Sequence, residues 1–358
     1  MSPKSGTLRL AVQTLALAIG VLAVCSPSFA QDDNPMGLPP RTAPPPVTVQ
    51  QQAPREPEQP ASGQEPASPA ITPIPNDDNR FVFRKQVQEV VLHATVVDEM
   101  GRLVTNLDRN AFSIFQNGQP EAITSFRKED VPVAIGIVVD NSGSMRDKRA
   151  KVNEAVLNLI RASNPQDEVF VVNFSQTPYL DQDFTSDVNL LQTALHQTSS
   201  RGSTALYDAV VASDVHLRNN PRLEKKVLLV ITDGQDNMSR ETLQDAMRKL
   251  QSNKGATLYA IGLSDEGNLG MTRSARQALQ DLAFSTGGVA FFPENLEEVD
   301  SITRTVAHDI RSQYTLAYNP GGTVGNRYQT IRVEARAPAH TRLTVRTRSG
   351  YYPGETMR

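Results

Sequence analysis

Asp140, Ser142 and Ser144 stand at alternate positions in Asp140-Asn-Ser-Gly-Ser-Met145, directly after the apolar run Ile135-Gly-Ile-Val-Val139. Alternate oxygen-bearing side chains on a tight loop can converge on one point, and a hard divalent cation prefers such oxygen ligands. Two further stretches offer the same chemistry. Thr204 lies in Arg201-Gly-Ser-Thr-Ala-Leu-Tyr-Asp208, just before a helical pattern, and Asp233 follows the apolar run Val227-Leu-Leu-Val-Ile-Thr232. Together they give two carboxylates and three hydroxyls. That set suits six-coordinate Mg²⁺ (or Mn²⁺), with bonds of about 2.0–2.1 Å. Each stretch also has a plainer reading. The first suits a turn and helix N-cap, because Asp, Asn and Ser there bond the local backbone. Thr204 suits an N-cap, and Asp233 a turn before Gly234. Asp208 and Asp236 fall nearby and are left outside the set.

Three loops meet at one point only if a scaffold carries them to one edge. From Val131 the chain alternates apolar runs at 133–139, 169–174, 227–232, 258–263 and 289–292 with amphipathic stripes. The stripes are Val152, Val156, Leu159 and Ile160; then Leu243, Ala246, Met247 and Leu250 behind Ser239 as N-cap; then Leu296, Val299, Ile302, Val306 and Ile310. Apolar strands alternating with such helices predict an α/β fold, a doubly wound and mostly parallel sheet covered on both faces. Sites in such sheets form at the carboxyl ends of strands. Asp140 and Asp233 would therefore share an edge.

The flanks read differently. Residues 87–97 form a valine-rich strand pattern, and Asp98-Glu-Met-Gly101 a turn. Residues 111–116 and 122–126 flank Asn117-Gly118, a hairpin signal because both residues tolerate positive φ. After Ser312, residues 314–318 are apolar, and 319–326 form a Gly-rich loop. Gln329, Ile331, Val333 and Ala335, then Leu343 and Val345, alternate with polar residues. Arg332, Arg336, Arg342 and Arg346 read as a solvated face. Each flank is too small to bury a core alone. The expectation is one antiparallel accessory domain, a β-sandwich built from both flanks, with the α/β domain inserted between them.

The three motifs, taken in order, resemble the metal-ion-dependent adhesion site (MIDAS) of von Willebrand factor A (VWFA) domains. The resemblance covers about residues 131–312, and the flanks with Gly350-Tyr-Tyr352 resemble a secreted bacterial family related to these domains. It implies a Rossmann-like α/β domain and a binding role. Ser142, Ser144 and Thr204 would hold Mg²⁺ (or Mn²⁺) directly, and Asp140 and Asp233 directly or through water. A cation held by neutral hydroxyls would attract a Glu or Asp carboxylate from a partner protein. The resemblance also implies that the last helix of the domain can shift when the metal takes such a ligand.

Composition sets the remaining bounds. The chain has 358 residues, 39% hydrophobic and 21% charged, with net charge −3, one cysteine (Cys25) and no tryptophan. This is an ordinary globular balance, without the basic footprint of a nucleic-acid binder. Lys4 and Arg9, the apolar stretch from Leu10 to Val24, and Ser28-Phe-Ala30 read as a signal peptide. Alternatives are a retained anchor, or a lipoprotein through Cys25, where Val24 is larger than the usual preceding residue. The expected organisation is 1–30 signal peptide, 31–79 disordered Pro-rich linker, 80–130 β-rich segment, 131–312 α/β domain, 313–352 β-rich segment and 353–358 tail. It predicts an exported, periplasmic or extracellular adhesion protein, without a transmembrane segment after cleavage. An enzyme is not expected. No histidine pairs at a metal-helix spacing, no nucleophile elbow or phosphate-cradling loop is present, and no general base stands apart from the proposed ligands. The other readings are a metal-dependent hydrolase, where Ser142 replaces the second carboxylate of an aspartyl-phosphatase start, and a scaffold with a vestigial metal site.

Overall fold

A computed structural model describes residues 89–128, 130–196, 200–220, 222–264, 271–321, 326–338 and 342–354. All lie within one compact unit, residues 80–358. The expected signal peptide, Pro-rich linker and strand start at 87 lie outside the described residues.

The chain opens with strands β1 (Val90–Val97), β2 (Phe112–Gln116), β3 (Gln119–Glu121) and β4 (Ile123–Arg127). An α/β region follows. It runs β5 (Val133–Asp140), α1 (Arg149–Arg161), β6 (Glu168–Phe174), β7 (Pro178–Thr185), α2 (Val188–His196), α3 (Leu206–Asn219), β8 (Lys225–Thr232), α4 (Leu243–Leu250), β9 (Thr257–Gly262), α5 (Arg273–Thr286), β10 (Ala290–Phe291) and α6 (Glu298–Arg311). The chain closes with β11 (Tyr314–Tyr318), β12 (Gln329–Ala335), β13 (Thr344–Arg346) and β14 (Gly350–Tyr351).

The α/β region is built on a six-stranded sheet of order β10-β9-β8-β5-β6-β7. All its pairings are parallel except β6–β7. Strands β5 and β8 are buried along their whole length, as expected of a parallel sheet covered on both faces. One core cluster joins Val152, Val156, Leu159, Val299, Val306 and Ile310 to one face. A second joins Leu206, Val210, Ala246, Leu250, Leu279 and Leu282 to the other. At the sheet centre, Gly136 lies beside Phe170, and a Cβ there would fall 2.4 Å from Phe170 Cζ.

The flanks form two four-stranded antiparallel sheets, β13-β1-β11-β4 and β14-β12-β2-β3, each combining strands from both ends of the described chain. They share one core of Val90, Leu92, Phe112, Ile114, Tyr314, Leu316, Ile331 and Val333. Its buried phenols are satisfied. The Tyr314 hydroxyl donates to Val104 O (2.9 Å) and accepts from Leu107 N (2.9 Å), and the Tyr318 hydroxyl donates to Gln116 Oε1 (2.6 Å).

Several expectations are corrected. Asn117 (φ 50°) and Gly118 (φ 80°) do turn a hairpin, but the strand across it is β3, with Gln116 opposite Gln119. Residues 122–126 mostly belong to β4, which crosses to the other sheet and pairs with β11. The N-cap of α4 is Thr242, in a reciprocal capping box with Asp245, not Ser239. Leu296 precedes α6 rather than lying within it. Arg346 is not on a solvated face: its guanidinium pairs with Asp309 at 2.8 Å. The strand β7 and the helices α2 and α5 were not expected from the apolar pattern. Among the described residues no helix is long and apolar enough to cross a membrane.

Candidate functional site

Strands β5 and β8 are neighbours in parallel register, Val139 opposite Ile231, so Asp140 and Asp233 leave the sheet at the same edge. The turn Gly143–Met145 follows β5, and the Thr204 segment precedes α3. Backbone bonds tie the three loops together. Gly143 N donates to Gly202 O (3.2 Å), Arg201 N to Asn141 O (2.9 Å) and Asn237 N to Thr204 O (3.0 Å). Side chains add to this. Asn237 Oδ1 accepts from Thr204 N at 2.9 Å. Asp236 Oδ2 and Ser239 Oγ accept from Tyr207 N and Asp208 N in the first turn of α3, each at 3.0 Å. Asp208 in return accepts from Arg240 N and Glu241 N. Asp208, Asp236 and Ser239 thus set loop positions.

All five expected residues lie along this edge. The carboxyl of Asp140 is buried, 0% exposed, and accepts from Ser142 N at 2.8 Å and Thr232 Oγ1 at 2.5 Å. Burial raises its pKa, with the Asp233 charge adding to the rise, while the two hydrogen bonds oppose it. The Ser142 and Ser144 hydroxyls are 3.2 Å apart, and Ser144 Oγ donates to Asp233 Oδ1 at 2.8 Å. Thr204 is 4% exposed and packs against Gly234, where a Cβ would lie 3.2 Å from Thr204 Oγ1. Neither Ser142, ahead of its turn, nor Ala205, ahead of α3, makes a side-chain cap bond. Ser142 therefore does not cap its turn, while Asp140 does bond the local backbone at Ser142 N, as the plainer turn reading expects.

Lys148 was missed by sequence reasoning. Its side chain is almost wholly buried and its ammonium pairs with Asp233, while reaching Ser144 O at 3.4 Å. Arg149 was missed too; it donates to Asp140 O (3.4 Å) and Leu195 O (3.2 Å), and burial lowers its pKa to about 10. The available signal was position: both follow Ser144 within about one helical turn, at the entry to α1. The site's oxygens therefore already gather positive charge. Among the described residues no three His, Cys, Asp or Glu side chains converge. A cation here would depend on the hydroxyls as well as the two carboxylates, and an all-oxygen set of this kind fits a hard cation.

Residues 135–235 match the family model of the von Willebrand factor type A domain. The matched span contains Asp140, Ser142, Ser144, Thr204 and Asp233. Solved structures resemble the chain more distantly. Proximal thread matrix protein 1 from the mussel byssus is 18% identical, covering 51% of this chain and 48% of its own, with a TM-score of 0.43. A von Willebrand factor type A protein from Catenulispora acidiphila is 12% identical, covering 76% of each chain, TM-score 0.43. The vWF domain of the type V pili tip protein Mfa5 from Porphyromonas gingivalis is 14% identical, covering 55% of this chain and 99% of its own, TM-score 0.41. The chain spans about half the length of the mussel protein. No curated protein matches it. Below, the region β5 to α6 is labelled the A domain for brevity; the family match itself covers residues 135–235.

Proposed function

We propose that the A domain is a metal-dependent protein-binding module in an exported protein, and that it engages a Glu or Asp carboxylate of its partner through Mg²⁺ (or Mn²⁺). The observation that carries this reading is the run of hydroxyls and carboxylates from Asp140 through Ser142 and Ser144 to Asp233, with Thr204 alongside, on the carboxyl edge of the sheet. Ser142, Ser144 and Thr204 would hold the ion, and Asp140 and Asp233 would bind it directly or through water. When bound, the ion supplies an incompletely neutralised positive charge that an anionic oxygen can satisfy. This chain's own residues hold the loops in place, keep Asp140 from solvent and present Ser144 at the surface. Lys148 supplies an alternative counter-charge for Asp233, so metal entry requires the ammonium to leave that carboxylate. The reading is of an interaction module rather than an enzyme.

Calorimetry with Mg²⁺ and Mn²⁺ tests the site. Asp140→Ala and Asp233→Ala are expected to lose metal binding while keeping the fold, because each removes one of only two carboxylates. Unchanged affinity in both variants would overturn the assignment. A pull-down from envelope extracts with Mg²⁺ and with EDTA would test the partner: capture that persists in EDTA would remove the metal from the mechanism.

A further inference from the structure

At the opposite end of the sheet, where the parallel strands begin, a cleft of about 760 Å³ lies between the A domain and the antiparallel sheets. That volume falls within the range of small-ligand sites, about 300–1,000 Å³. Five lining side chains are cationic: Arg218, Arg222, Lys226, Lys254 and Arg348. They come from the end of α3, the loop after it, the start of β8, the loop before β9 and the segment before β14. Two lining carboxylates are engaged elsewhere, Glu224 with Arg127 (2.7 Å) and Glu89 with the Thr124 hydroxyl (3.0 Å).

Arg222 pairs with Glu168 at 3.1 Å, but the other four cations keep donors that meet no carboxylate. Arg348 donates only to carbonyls, Ser252 O and Asn253 O at 3.0 Å and Gly255 O at 2.7 Å. Lys226 Nζ donates to Leu223 O at 2.9 Å, and Lys254 is exposed with no partner among the described residues. Arg218 uses Nε on Asp214 at 2.8 Å, yet its Nη2 is buried with no acceptor among the described residues. A buried guanidinium nitrogen without a partner costs free energy that a bound oxyanion would return. His93, also in the lining, reports the same field. Its pKa is lowered to about 3, first by burial and then by Lys225, Arg348, Arg127 and Lys226.

We propose that this cleft binds a small polyvalent oxyanion, phosphoryl or carboxylate in chemistry, that bridges the A domain and the antiparallel sheets. Guanidinium forks match both oxyanion types bidentately, and a multiply charged ligand meets cations from several segments at once. The site is distinct from the proposed metal edge, which lies at the other end of the same strands.

Isothermal titration of the full chain with pyrophosphate and, separately, citrate, at about 0.15 M salt to screen surface attraction, tests this. Saturable one-to-one binding is expected. Lys254→Glu and Arg222→Ala, both at exposed positions, are expected to weaken it about tenfold or more. Lys151→Glu, the same charge change outside the cleft, is expected to leave it unchanged. Preference for pyrophosphate would assign the phosphoryl class, and preference for citrate the carboxylate class. No saturable binding of either probe, or equal weakening by Lys254→Glu and Lys151→Glu, would overturn the proposal.

Discussion

Strands β5 and β11 are both buried along their whole length, yet different information positions them. β5 pairs with β6 and β8, both within the A domain and each joined to it by a helix-bearing connection. β11 pairs with β1 and β4, which lie on the far side of the whole A domain in sequence. The A domain is therefore assembled from nearby units, and the antiparallel sheets only after their two flanks have been brought together. Closing that distance costs chain entropy that the shared core must offset. The A domain should tolerate local damage, and the antiparallel sheets should fail when either flank is lost.

The largest expected effect follows directly. A truncate beginning at Val131 removes β1 to β4. β11 then loses both neighbours, and β12 loses β2. Tyr314, Leu316, Ile331 and Val333, all buried, lose much of their core, at about 1.5–3 kcal/mol for each large side chain uncovered. The exposed edges are templates for intermolecular pairing. The truncate is expected to aggregate in light scattering. A monomeric truncate with an unchanged unfolding midpoint would show that the two parts are independent.

A smaller break tests the joint between them. Only Ser312 and Gln313 separate α6 from β11. The joint is also pinned by Asp309 near the end of α6, which pairs with Arg346 of β13 at 2.8 Å and accepts from the buried Thr95 hydroxyl of β1 at 2.7 Å. Lys225, buried at the start of β8 and lowered by that burial to about 8, donates to Ile310 O. Asp309→Ala strands a guanidinium and a hydroxyl, and is expected to cost about 3 kcal/mol in denaturant unfolding. If helix movement couples metal and ligand to this joint, the same variant must also change Mg²⁺ affinity, because coupling is reciprocal. An unchanged metal affinity in a destabilised Asp309→Ala would make the joint a passive connector.

The same contrast explains what could be read from the sequence. The parallel strands were legible because strands buried on both faces are nearly pure runs of Val, Ile and Leu. Of the proposed site, Asp140 and Asp233 are marked in the sequence by the ends of those runs, while Thr204 precedes a helix and carries no such mark. The buried face of α5 has only two large apolar residues, Leu279 and Leu282, among Ala275, Ala278, Ala283, Ser285 and Thr286, so its stripe is faint in the sequence. The edge strand β7 reads Pro-Tyr-Leu-Asp-Gln-Asp-Phe-Thr, has no fully buried residue, and lacks the core pattern. Asn117-Gly118 specifies a turn and so suggests a hairpin of residues 111–116 and 122–126, but no local signal marks the short β3 or the point where the chain leaves one sheet for the other. Lys148 and Arg149 were missed because a charged residue at a helix entry ordinarily faces solvent; their burial arises from the convergence of three loops, which no single stretch records.

The smallest expected effect concerns His93, on β1 at the boundary between the two parts. It is bonded to the Thr315 hydroxyl of β11 at 3.2 Å, and the nearby cations Lys225, Lys226, Arg127 and Arg348 come from both parts. Burial and these charges lower its pKa to about 3, against about 6.5 in an unfolded chain. Between those values the unfolded chain binds a proton that the folded protein refuses. The stability is therefore fully present above about pH 6.5, and is lost as the pH falls toward 3. Protonation would place a further positive charge beside four cations, and the strain falls on β1 and β11 rather than on the centre of the A domain. Acidification from pH 7 to pH 4 is expected to speed hydrogen exchange in β1 and β11 more than in β5 and β8. His93→Gln, which keeps a polar side chain but cannot take the proton, is expected to flatten this difference. An identical acid response in wild type and His93→Gln would place the pH sensitivity elsewhere and leave the antiparallel sheets no weaker to acid at this boundary than the A domain.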